Sequence, residues 1–453
     1  MPAASPSHPR SRPVDLPVDT AGVPSVDELV AVGRAAGLDA VGVAPAAPFA
    51  TTRRHLARRK AAGLHGGMAF TYRRPERSTD PGQVVPGARA IVVGARSYLR
   101  TPPGEPAGGG AADARQRVIA DRGGAEPGGG PACGRPQGRV ARYAWQDHYA
   151  ALRASLGAVA ARLKEAGWRA RVVADDNALV DREAAYRAGL GWYGKNANLL
   201  LPGVGSWFVL GSVVTDAPIA LPEGAPRQPD GCGTCRRCLD GCPTGAIVAP
   251  GVVDARRCLA WLVQAEGRFP PEHRVALGDR IYGCDDCQEV CPPNRRVARR
   301  EPAPPAGEAA EPTVDLLDLL AADDATLLDR HGRWYVPRRQ ARYLRRNALL
   351  ALGNVADGRH PAVAAALGRA LADPDPIVRG HAVWAARRLG RDDLVAPLAD
   401  DPDPLVRAEL AEHVPVRADL RPGARPDPPP GGRAGVHEAG RPGGHPDVRQ
   451  APS

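Results

Sequence analysis

Apolar and polar positions divide this chain into stretches with a readable period and stretches with none. Leu29, Val30, Val32, Ala35 and Ala36 recur at helical spacing and predict an amphipathic helix over Asp27–Gly37, followed by a short strand at Ala40–Ala44. Thr51–Gly63 predicts a second helix, His65–Met68 a turn, and the unbroken run Ala88–Ala95 (ARAIVVGA) a buried strand. Farther on, the pattern predicts a helix over His148–Ala166, a strand at Ala170–Ala174, a helix near Asp181–Ala188, and strands at Asn198–Leu201 and Trp207–Val214. Helices and strands alternate here, which marks an α/β or α+β domain.

From Val314 to about Val414 only helical period remains. DPDPIVR at Asp373–Arg379 returns 28 residues later as DPDPLVR at Asp401–Arg407, and RRNALLALGNVAD at Arg345–Asp357 precedes both. A phrase returning at this interval in helical sequence predicts stacked helix pairs of the HEAT type. Three stretches have no period and are rich in Gly, Pro, Ala and Arg: 1–23, 101–138 and 416–453. They are expected to be a disordered leader, a flexible insertion and a disordered tail. The breaks suggest an α/β domain over 24–229, a cysteine module over 230–300, a proline-rich link at Glu301–Pro312 and a helical domain over 313–415.

Composition changes this picture little. The formal charge of +10 arises from 60 basic and 50 acidic residues, the basic ones nearly all arginine, with lysine only at Lys60, Lys164 and Lys195. That balance permits a polyanionic partner without requiring one. Met1–Val23 carries no signal-peptide pattern or adjacent arginine pair, and no run of about 18 apolar residues occurs anywhere. A cytoplasmic protein with no membrane partner is expected. Thiols stay reduced there, so clustered cysteines point to metal ligation and not to disulfides.

Eight of the nine cysteines lie between Cys232 and Cys291. Cys232, Cys235, Cys238 and Cys242 follow C-x2-C-x2-C-x3-C with Pro243 next, and Cys284, Cys287 and Cys291 repeat the ending C-x2-C-x3-C with Pro292 next. In two-cluster ferredoxins three closely spaced thiolates hold one 4Fe-4S cubane and the fourth cysteine crosses to the other. By that rule Cys232, Cys235, Cys238 and Cys291 hold one cluster, and Cys258, Cys284, Cys287 and Cys242 the other. The rival, a pair of zinc sites, would favour two separated C-x2-C knuckles. Cys133, inside the insertion, is read as a free thiol.

These cysteines, together with RYAWQDHYAALR at Arg142–Arg153, ADDNALVDREAAYRAGLGWYGKN at Ala174–Asn196 and GSWFVLG at Gly205–Gly211, resemble the epoxyqueuosine reductase family over about residues 24–410. The resemblance implies an α+β protein: a nitroreductase-like cobalamin-binding domain, a ferredoxin-like domain with two 4Fe-4S clusters, and a HEAT-like tail that holds tRNA. It places the family's proton donor on Asp175, which follows the apolar Val172–Ala174, where desolvation would keep a carboxyl protonated. It also suggests cobalamin contacts at Arg77, Tyr143, Lys195, Asn196, Gly205, Ser206, Trp207 and Gln264. The chain departs from the family in the order Asp147–His148–Tyr149, in Ala178 where proline is usual, and in the long insertion. The cobalamin signature D-x-H-x-x-G is absent, so no axial histidine is indicated.

The implied activity is reduction of epoxyqueuosine to queuosine in a tRNA anticodon by a monomeric enzyme. Single electrons would come from a flavodoxin or ferredoxin and pass through the clusters. Arg333, Arg338, Arg339, Arg342, Arg345 and Arg346 are candidates for phosphate contacts. Two rivals remain: a cytoplasmic dehalogenase-like cobalamin reductase acting on a small molecule, and a non-catalytic iron–sulfur carrier.

Overall fold

A computed structural model of the chain describes residues 22–101, 135–221, 228–300, 304–307 and 309–417. The expected leader, nearly all of the expected insertion with Cys133, and nearly all of the expected tail lie outside the described residues. Four antiparallel strands form the first sheet: β1 (Ala40–Pro45), β2 (Ala90–Ser97), β4 (Ala170–Val173) and β7 (Phe208–Thr215), in the order β1-β2-β7-β4. β7 is buried at every position and β2 at its first six, as the unbroken apolar runs require of central strands covered on both faces. Alternation then assigns the faces. Val92, Val209 and Val213 meet Leu29 of α1 (Val26–Ala35) and Leu152, Leu156 and Leu163 of α3 (His148–Glu165). Ile91, Val93 and Val214 turn the other way, onto Phe49 and onto Ala184 and Ala185 of α4 (Asp181–Arg187). The helix α2 (Ala50–Ala61) buries only Leu56.

The second core does not respect a linear division into domains. One apolar cluster runs from Val140, Ala144 and Trp145 through Leu259, Phe269 and Ile281 to Leu349, Val383 and Val406. Strand β3 (Gln137–Val140) leaves the first domain and lies between β10 (Arg280–Tyr282) of the cysteine module and β11 (Thr313–Asp315) of the link. Short hairpins, β5 (Trp192–Tyr193) with β6 (Leu199–Leu200) and β8 (Ile247–Ala249) with β9 (Val252–Val253), complete the strands.

The helical tail shows why its phrase repeats. Asp375 caps the helix Pro376–Arg388 by accepting from the Ile377 N–H, and Asp373 accepts from the Asp375 N–H. Asp403 and Asp401 do the same ahead of Pro404–Ala411. Arg342 reaches forward to Asp375, and Arg379 to Asp401, so each unit is tied to the next. Among the described residues no helix is long and apolar enough to cross a membrane.

Candidate active site

The thiols gather into two groups, each drawn from both sequence motifs. Cys232, Cys235, Cys238 and Cys291 line a cavity of about 60 Å³. The charged neighbours that act on Cys291 are those same three cysteines. In the second group Cys287 feels Cys284, Cys258 and Cys242, and Cys258 feels Cys242. Burial pushes the Cys284 thiol up to about 12 and Cys287 well above its ordinary value. Such thiols lose their protons only to a cationic metal, as ligands must. Cys242 also accepts the Ala246 N–H at 3.2 Å, a contact of the kind that tunes cluster potential.

Between the first domain and the second cysteine group lies a cleft. Asp175 stands on its wall, just beyond β4, in the left-handed region at φ 53°. Its side is exposed in area yet hemmed in by protein, and burial raises its carboxyl, opposed by Arg153 and aided by Asp176. Tyr193 is 38% exposed, and Tyr143 and Tyr149 are half-buried. Gln264 sits beside Tyr143, its Nε2 at 3.5 Å from the tyrosine hydroxyl, on the segment that follows Cys258.

The other residues expected at the corrinoid have these surroundings. Lys195 donates to the carbonyls of Gly233 (2.6 Å) and Cys235 (3.0 Å), and with Asn196 it lines the first thiol cavity. Asn196 also donates to the Cys287 carbonyl. Gly205, Ser206 and Trp207 are buried, Trp207 at 3%. The Ser206 N–H donates to Asn294 Oδ1 at 2.6 Å and its hydroxyl to Gln288 Oε1 at 2.9 Å, while Tyr98 donates to the same Gln288 oxygen. This clasp joins β7 to the turn that carries Cys291. Arg77 borders a pocket beside the Asp175 loop, with Thr71, Arg73, Arg74 and Asn177.

The six tail arginines separate sharply. Arg346 is fully buried and donates to the carbonyls of Leu262, Val263, Ala265 and Gly267, which excludes it as a phosphate contact. Arg342 and Arg345 pair with Asp375 and Asp324. Arg333 bonds the carbonyls of Ala144 and Trp145. Arg338 and Arg339 remain exposed, beside Tyr335 at 55%.

Comparison with known proteins agrees with this geometry. A 4Fe-4S double cluster binding domain is matched over residues 231–294, and HEAT repeats over 338–414. An epoxyqueuosine reductase of Bacillus cereus is 32% identical over 373 residues, 81% of this chain and 89% of the relative. The chain belongs to the epoxyqueuosine reductase family. Two solved members align with a TM-score of 0.70: one bound to a tyrosine-tRNA stem loop carrying epoxyqueuosine, at 28% identity over 85% of this chain and 96% of that one. The other, from Streptococcus thermophilus, is 25% identical over 84% and 96%.

Membership makes the chain an oxidoreductase with two 4Fe-4S clusters and sets aside both the zinc pair and the non-catalytic carrier. Sequence reasoning passed over three cleft residues. Asp181 opens α4, the cap position falling to Val180; burial and the neighbouring Asp175 hold the Asp181 carboxyl well above its usual range. Arg182 acts on Tyr149, Asp181 and Cys258, linking the two sides of the cleft. The order Asp147–His148–Tyr149 buries the histidine and gives the cleft Tyr149, whose hydroxyl is pushed up by burial and then by Asp175. The departure from the family's usual phrase was the available signal.

Proposed function

We propose that this chain reduces epoxyqueuosine to queuosine in the anticodon of tRNA. The observation that carries the reading is the raised carboxyl of Asp175 beside Tyr149 and Arg182, with Arg182 also acting on Cys258 of the second group of cysteines. Removing the epoxide oxygen as water consumes two electrons and two protons. The clusters supply electrons one at a time from a flavodoxin or ferredoxin, and the eight cysteines divide between them as Cys232, Cys235, Cys238, Cys291 and Cys242, Cys258, Cys284, Cys287. Cobalamin, when bound, supplies a low-valent cobalt able to reduce the strained ring.

The rest falls to the protein. Asp175 holds a proton for the departing oxygen because the cleft disfavours its charge. Tyr143 and Gln264 face the corrinoid, and aromatic walls exclude water from the reacting ring. The substrate base must be unstacked to enter, which an anticodon loop allows. The enzyme acts as a cytoplasmic monomer. Anaerobically purified protein, analysed for iron and cobalt and incubated with reductant and epoxyqueuosine-bearing tRNA, should yield queuosine by nucleoside mass spectrometry. Protein loaded with both cofactors that leaves the epoxide intact would overturn the reading.

A further inference from the structure

Beside the loop that carries Asp175 lies a pocket of about 210 Å³ lined by Ala69, Thr71, Arg73, Arg74, Arg77 and Asn177. The three arginines are exposed, and among the described residues their guanidinium groups have neither a carboxylate nor a hydrogen-bond acceptor. Glu76, on the same helical turn, is exposed and makes no ion pair with them. This is unusual for the molecule, whose other surface arginines are often paired, as Arg135, Arg162 and Arg169 are with Asp318, Glu28 and Asp216. Three unneutralised guanidiniums around one concavity make a seat for an anion, and their forked donors match a phosphate.

The seat is also fastened to the catalytic loop. The Thr71 N–H donates to Asn177 Oδ1 at 2.9 Å, the Val180 N–H donates to the Ser78 carbonyl at 2.9 Å, and the Ser78 hydroxyl donates to the Thr71 carbonyl at 3.1 Å. Asn177 stands two residues after Asp175, so an anion bound here lies next to the proton donor's own loop. We propose that this pocket seats a backbone phosphate of the RNA substrate adjoining the modified nucleoside, and that binding it holds the Asp175 loop in place. The inference rests on the reading of the chain as an enzyme acting on tRNA. A corrinoid's nucleotide tail also carries one phosphodiester, but three exposed cations at a solvent-facing rim suit the successive charges of an RNA strand better.

The test is the double substitution Arg73→Gln with Arg74→Gln in the cofactor-loaded protein. Arg77 is left intact. Affinity for an anticodon stem loop is measured against salt, once with guanosine and once with epoxyqueuosine at the wobble position. Loss of that one phosphate contact should lower the slope of log affinity against log salt by about 0.7 and weaken binding by about 5-fold at 0.1 M salt, with iron and cobalt content unchanged. Unchanged affinity and slope would overturn the seat while leaving the proposed reaction standing. So would a loss of cobalamin, but not of the phosphate-free corrinoid cobinamide, at unaltered RNA affinity. Wild-type protein that binds the stem loop but never reduces it sinks the reaction and leaves the seat. Wild-type protein that binds no RNA sinks both.

Discussion

Replacing Gly205 with alanine distinguishes a cofactor wall from a clasp between domains. Gly205 has φ 71°, and a Cβ built there would lie 2.2 Å from Asn294 Oδ1 and 3.2 Å from the Asn294 Cα. The left-handed backbone alone costs an alanine about 1–2 kcal/mol. Asn294 must also withdraw, and its side-chain oxygen is the acceptor of the buried Ser206 N–H. A buried donor left without its partner costs about 1–3 kcal/mol more. The total, about 2–5 kcal/mol, is a large share of a typical folding free energy. Because Asn294 is three residues beyond Cys291, the damage should reach the first cluster.

Denaturant titration under anaerobic conditions, followed by the visible absorption of the clusters, measures both effects. Gly205→Ala should unfold at lower denaturant and lose its clusters earlier. Combining it with Asn294→Ala, which removes the colliding atoms, should be less damaging than the two changes summed. The reasoning fails if Gly205→Ala keeps full stability and cluster content while cobalamin affinity falls, because that would place Gly205 against the cofactor.

Asp175→Asn should slow reduction by about 100-fold or more with cluster and RNA affinity intact, and in the parent enzyme activity should fall as pH rises through the raised value of Asp175; single-turnover rates across pH check this. Arg346→Met leaves the carbonyls of Ala265 and Gly267 without a donor and those of Leu262 and Val263 with one fewer, and should strip the second cluster or prevent folding, read as iron per chain. His381 and His148 should each favour the folded chain less as pH falls below about 6.5, because burial holds them down at about 3 and about 4 while their unfolded forms take up protons, an effect opposed by the raised carboxyls of Asp181 and Asp285. Denaturant midpoints of the parent and of His381→Asn at pH 7.5 and pH 5 test the His381 part: the gap between the two proteins should narrow at pH 5, and an unchanged gap would count against it.

Much of this fold was legible because its signals are local. The runs around Ile91–Val93 and Val209–Val214 fixed two buried strands, and DPDP announced a repeated cap. The cysteine spacing likewise determined how the thiols group. What escaped depends on distant partners. β3 is four residues long and lies at the edge of a stretch without period, so nothing in it reveals that β10 and β11 will flank it. Gly205 shows that something approaches closely, but not that Asn294 is what approaches. Arg345 and Arg346 look alike as residues, yet Arg346 shares the helical stripe of Leu349, Leu350 and Gly353 and therefore faces inward. That stripe was readable, and charge counting obscured it.

The helical tail does more than extend the molecule toward RNA. Between Cys258 and Cys284, the proposed ligands of the second cluster, the chain runs through a segment many of whose polar groups bond to the tail. Arg346 and Asn347 take the carbonyls of Leu262 and Val263, Asn354 those of Arg274 and Gly278, and His381 accepts the Phe269 N–H. Glu409 neutralises Arg274 and Arg268, both from that segment. A buried Arg–Glu pair broken on one side costs several kcal/mol, so the tail and the cluster segment stand or fall together. Arg338 pairs with Glu266, two residues beyond Gln264, so the tail's exposed edge at Tyr335, Arg338 and Arg339 adjoins the segment that follows Cys258. In this arrangement that edge and the cysteine module belong to a single packed unit.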